Sequence, residues 1–105
     1  MVLEFTDDNF SGMNKSGKKL ILDFWASWCG PCQRFGPIFS KVAEENDNDK
    51  IVFAKVNIDD APDLAGRFNV TSIPCVVVLD EKMQVIQKHN GTMREETFLE
   101  FIEKI

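Results

Sequence analysis

Leu20-Ile21-Leu22-Asp23-Phe24-Trp25-Ala26-Ser27-Trp28-Cys29-Gly30-Pro31-Cys32 is the stretch that decides the fold. Leu20 to Trp25 has the length and apolar character of a buried strand. Directly after it come two cysteines spaced Cys-x-x-Cys, and then Phe35, Ile38, Phe39 and Val42 recur at three- and four-residue spacing, which gives a helix one apolar face. A strand feeding a helix with a thiol pair at the junction points to an α/β fold whose chemistry sits at the strand's end.

Working outward, Ile51 to Ile58 (interrupted by Lys55 and Asn57) and Ile73 to Leu79 are further apolar runs rich in β-branched residues, expected to be buried strands. A short edge strand is expected over Val2 to Phe5, and another strand over Val85 to His89 behind the polar link Asp80-Glu81-Lys82-Met83, which has hairpin length. Phe98, Phe101, Ile102 and Ile105 mark a last helix, with Thr92 and Glu95 at capping-box spacing before it. Asp60 with Pro62 marks the start of a short helix ending near Phe68, and a weaker helix is expected from Asp7 to Lys15. Glu44 to Lys50 is polar throughout and reads as a loop. The order β, α, β, α, β, α, β, β, α predicts a central five-stranded mixed sheet, mainly parallel with a terminal antiparallel hairpin, flanked by four helices on both faces.

Composition bounds the class. At 105 residues the chain is expected to form one domain over 1–105, and 44% hydrophobic with 28% charged residues is ordinary for a globular chain with a core. Twelve Lys and Arg against 17 Asp and Glu leave a net charge of −5, the wrong sign for holding nucleic acid or anionic lipid. No apolar run approaches the roughly 18 residues of a membrane span. The opening Met-Val-Leu-Glu-Phe-Thr-Asp-Asp lacks the basic and apolar regions of a secretory signal, so a cytoplasmic location is expected. Thiols are usually kept reduced there, so the three cysteines call for a reactive or a packing explanation rather than structural staples.

Two residues between Cys29 and Cys32 let one turn bring the sulfurs together. Cys29, at the helix N-terminus, faces free N–H groups and the positive end of the macrodipole, so it is the expected nucleophile. Stabilising its thiolate by roughly 2 kcal/mol, the upper end of a helix-terminus effect, raises the thiolate fraction at neutral pH about 16-fold. Intrinsic nucleophilicity falls about fivefold in exchange, so attack gains only about threefold; the same low pKa also makes Cys29 a good leaving group. Cys32, one turn in, then resolves the mixed disulfide and needs a base. Asp23 is the candidate: buried in an apolar run, its pKa rises toward neutrality, whereas on an exposed strand face it is merely a solvated charge. Ile73-Pro74 heads a buried strand and reads either as a cis turn or as an ordinary strand-initiating trans proline.

These residues, Asp23 to Cys32 together with Pro37, Lys55, Asp59, Ile73-Pro74 and Gly91, resemble the thioredoxin family over almost the whole chain. Gly30-Pro31 between the cysteines is similar to the reducing members rather than to oxidases, isomerases or glutaredoxins. The resemblance implies the thioredoxin fold and a protein-disulfide reductant, with Cys29 attacking, Cys32 resolving and Asp23 moving the proton. It also implies Lys55 as the buried partner of Asp23 and a cis bond at Pro74. A docking surface of Trp28, Gly30, Pro31, Ile73, Pro74 and Gly91 would take an extended substrate segment through backbone hydrogen bonds. No bound cofactor is implied; electrons come from NADPH through thioredoxin reductase. Implied partners are that reductase and disulfide-containing proteins such as peroxiredoxin, methionine sulfoxide reductase and ribonucleotide reductase, met by a monomer. Three positions depart from the family's pattern. Gln33 stands where Lys or Arg is usual, Asn90 replaces a residue that is often apolar, and Cys75 follows Pro74 where threonine is common.

Cys75 reads as a small buried hydrophobe or, more sharply, as a third thiol near the redox pair open to regulatory modification. A zinc site from Cys29, Cys32, Cys75 and His89 is a weak rival, because the last two are isolated in sequence. A binding module with an incidental dithiol is a second rival, and an oxidase or isomerase differing only in redox poise is a third.

Overall fold

The computed structural model describes residues 2–13 and 17–105. Strand β2 (Lys19–Trp25) lies at the centre of the sheet, with Leu20 through Phe24 all buried. It pairs in parallel with β3 (Ile51–Asn57) and antiparallel with β4 (Cys75–Leu79). Strand β1 (Val2–Glu4) lies parallel to β3, and β5 (Val85–Asn90) antiparallel to β4, so the sheet order is β1-β3-β2-β4-β5. The helices are α1 (Gly30–Glu45), α2 (Pro62–Arg67) and α3 (Glu95–Glu103).

Two sequence expectations are corrected. Among the described residues there are three α-helices rather than four. In place of a helix from Asp7 there is one 3-10 turn over Phe10–Gly12, and Lys15 lies outside the described residues. The reason is local: the Thr6 amide donates to Asn9 Oδ1 at 2.8 Å, the Asn9 amide donates to Thr6 Oγ1 at 3.1 Å, and Asn9 Nδ2 donates to Glu4 O. Side chains thus take backbone groups that a helix would have used. The sheet is also evenly mixed rather than mainly parallel, since β4 opposes β2. Helix α1, 16 residues or about 24 Å long, carries the chain back along the seven-residue β2, about 23 Å, and so permits a parallel crossover. Helix α2, six residues or about 9 Å, cannot do the same, and β4 starts at the end of the sheet where β3 stopped.

Alternation along the strands separates two cores. On the α2 face Leu20, Leu22 and Phe24 pack with Ala54, Val56, Leu64, Phe68, Cys75 and Val77. On the α1 and α3 face Ile21 packs with Phe35, Phe39, Phe53, Val76 and Phe98, where Phe35 and Phe98 meet edge to face at 5.2 Å. Asp23 shares Ile21's side of the strand, so its carboxylate is directed at α1.

Helix α3 starts at Glu95 with Arg94 as N-cap, so the Thr92–Glu95 capping box does not form. Glu95 instead pairs with Lys41 at 3.0 Å, linking α3 to α1.

Candidate active site

The redox segment is built at the junction of β2 and α1. Cys29 is the N-cap of α1, with extended backbone (φ −97°, ψ 112°), and its Sγ accepts the Cys32 N–H at 3.2 Å. Pro31 sits in the first turn, where its missing N–H costs no helix bond. Cys29 and Cys32 are joined by a disulfide, their Cα atoms 5.3 Å apart. Both are largely covered, and with Ala26 they form a small cluster against Trp25, Ile58 and Ile73. The sulfur of Cys29 lies 3.7 Å from the Ile73 carbonyl.

Ile73–Pro74 is a cis peptide bond at the head of β4, so Ile73 and Pro74 stand before the strand. The Pro74 carbonyl accepts the Gly91 N–H at 2.8 Å. Gly91 has φ +99°, a conformation that disfavours any side chain, and this turn holds the end of β5 against the proline. Around the disulfide, Trp28 is 68% exposed, Gly30 and Pro31 are exposed, and Ile73 and Gly91 are half-buried. The Trp28 indole donates to Asp59 Oδ2 at 3.1 Å. No signal in the sequence announces that bond, because 31 residues separate its partners.

On the inner side of α1 a cleft of about 390 Å³ is lined by Asp23, Trp25, Cys32, Gln33, Gly36, Pro37, Ser40 and Lys55. Asp23 is 1% exposed and its Oδ1 has no hydrogen-bond partner, so burial pushes its pKa from 3.8 up to about 7 against the opposing pull of Lys55. Lys55 is half-buried, stands in register beside Asp23 on β3, and donates to the Gly36 carbonyl at 3.3 Å. The arrangement places a carboxylate that titrates near neutrality in the same cleft as the inner cysteine.

Cys75 is fully buried on the opposite, α2, face of the sheet, paired with Asn90 of β5. Burial pushes its thiol pKa up, with Lys88 acting the other way and Asp23 adding a little to the rise. The structure therefore does not bring Cys75 into the sulfur cluster of Cys29 and Cys32. His89 lies on β5 against the Phe101 ring. Among the described residues no group of three or more His, Cys, Asp or Glu is arranged to hold a metal ion, and no helix is long and apolar enough to cross a membrane.

Comparison with known proteins agrees with the geometry. A family model described as Thioredoxin matches residues 1–104. The chain is 47% identical over 76 residues to a thioredoxin of Mycoplasma pneumoniae, covering 72% of this chain and 70% of that protein. It is 36% identical over 103 residues to a thioredoxin of Staphylococcus saprophyticus, covering 98% and 96%. Among solved structures, the crystal structure of Malassezia sympodialis thioredoxin superimposes with a TM-score of 0.85 at 29% identity, covering 98% of this chain and 91% of that one.

Proposed function

Because the chain belongs to the thioredoxin family, a family of thiol-disulfide oxidoreductases, we propose that it is a protein-disulfide reductant of the cytoplasm, re-reduced by thioredoxin reductase at the expense of NADPH. In its dithiol form the Cys29 thiolate, favoured by the α1 N-terminus, attacks one sulfur of a substrate disulfide. The substrate S–S bond breaks, a mixed disulfide forms on Cys29, and one substrate thiolate leaves. Asp23 takes the proton from Cys32. The Cys32 thiolate then attacks Cys29 Sγ, releasing the second substrate sulfur as a thiolate, which takes up a proton, and forming the Cys29–Cys32 disulfide present in this structure. Two electrons pass to the substrate, and the reductase returns two. Lys55 tunes Asp23 through its charge.

Trp28, Gly30, Pro31, Ile73, Pro74 and Gly91 would form the surface that receives an extended substrate segment next to Cys29 through backbone hydrogen bonds. Disulfides of peroxiredoxin, methionine sulfoxide reductase or ribonucleotide reductase are substrates of the kind such a surface accepts, and the protein would meet them as a monomer.

The observation that carries this reading is the redox pair at the α1 N-terminus, with the buried Asp23 in the cleft behind Cys32. Its test is NADPH consumption with a competent thioredoxin reductase and insulin as disulfide acceptor. The parent protein should turn over, Cys29→Ser should lose all activity, and Cys32→Ser should stall as a mixed disulfide. No NADPH consumption by the parent, or full activity in Cys29→Ser, would overturn the reading.

A further inference from the structure

Gln33 follows the inner cysteine at a position where the family usually carries a cation, and the structure gives it a specific bond. Its side-chain Nε2 donates to the Ser27 carbonyl at 2.8 Å, while its backbone N–H donates to the Cys29 carbonyl at 3.3 Å. Gln33 thus bridges the segment Ser27 to Cys32, tying α1 back to the loop that leaves β2. The tied peptide group is the one that enters Trp28. Trp28 is held a second time through its indole by Asp59, so a side chain 68% exposed is fixed at both its backbone and its ring. An unfixed exposed indole would sample several rotamers and would have to be ordered each time a protein substrate docked.

We propose that Gln33 is a positioning residue for protein substrates: by clamping Ser27 O it holds the Trp28–Cys29 segment as a preformed wall beside the sulfur that attacks. The inference rests on the disulfide-reductant reading. A neutral amide does this without adding a positive charge beside the redox pair, so the clamp and the charge can be separated experimentally. A single neutral hydrogen bond of this kind corresponds to about a fivefold effect on an equilibrium. A large protein substrate should feel that effect as binding, whereas a small aromatic disulfide, which needs only the sulfur, should not.

The test compares the parent, Gln33→Ala and Gln33→Lys with two oxidants, insulin and 5,5′-dithiobis(2-nitrobenzoate), while thermal melting checks that each variant is folded. In Gln33→Ala the KM for insulin should rise about three- to fivefold, with the rate constant toward the small disulfide within about twofold of the parent. In Gln33→Lys, whose ammonium can reach the same carbonyl, the insulin KM should return to the parent value, and to the same extent at high salt, which screens the added charge. An unchanged insulin KM in Gln33→Ala, equal slowing toward both oxidants, or a Lys variant no better than Ala would overturn the proposal. A parent protein inert toward both oxidants would instead overturn the reductant reading itself.

Discussion

Asp23 shows how much one residue's neighbours decide. A carboxylate in water titrates far below neutrality, but one that is 1% exposed with an unpartnered oxygen is pushed up to about 7, even with Lys55 pulling the other way. Burial wins because the folded protein offers Asp23 little to replace the water it has lost. Lys55 is therefore the lever on the Asp23 titration, and on the proposed base. An opposite charge nearby changes a carboxyl's acid constant by at least a factor of about ten, so Lys55→Met should move the Asp23 titration above 7. Decay of a preformed mixed disulfide on Cys29, followed against pH, should then reach half-maximum at higher pH and run about fivefold slower at about pH 7. A pH profile superimposable on the parent's would show that Lys55 does not tune the base.

At the scale of elements, α2 is too short to be stable through its own bonds, and its N-terminus is completed from far away. The Asp63 and Leu64 amides donate to Asp7 Oδ2 and Oδ1 at 2.9 and 3.0 Å, across 56 and 57 residues. At the other end Lys88 Nζ donates to the Phe68 and Asn69 carbonyls at 3.2 and 2.7 Å. Asp7→Ala should cost about 1 kcal/mol, read as a fall of about 4–8 °C in Tm, and Asp7→Asn, which keeps one acceptor oxygen for the two amides and sets its NH2 against the other, should recover only part of it. An unchanged Tm in Asp7→Ala would mean the cap contributes nothing net. From sequence, α2 starts at Asp60, because Asp60 stands where a local cap should be, and no sequence spacing points to Asp7. The strands are legible because a buried strand writes itself as an apolar run. The direction of β4 is not, since it depends on the short length of α2 relative to β3. The thiol pair and Asp23 stand out as chemistry within apolar sequence, whereas the bonds from Trp28 to Asp59 and from Gln33 to Ser27 exist only once the loop geometry brings the partners together.

For the whole molecule, the buried carboxylate of Asp23 sits in the central strand of the sheet, so its ionisation bears on the stability of the entire fold. In the unfolded chain Asp23 titrates near its ordinary 3.8, and in the folded protein near 7. Between those values the folded state holds the extra proton, so stability falls as pH rises. The contribution of the neutral carboxyl is whole below about pH 4 and is lost as pH passes through about 7. Above that, the ionised group costs on the order of 4 kcal/mol. Asp23→Asn cannot ionise. Its denaturant midpoint, compared with the parent's in the oxidised state, should match near about pH 4 and correspond to a stability higher by roughly 2–4 kcal/mol near about pH 8. A difference between the two proteins that stays constant from about pH 4 to about pH 8 would mean Asp23 is not a buried titrating group. If the gap opens across about pH 5 to 7 instead, the fold is giving up stability to keep a base behind Cys32.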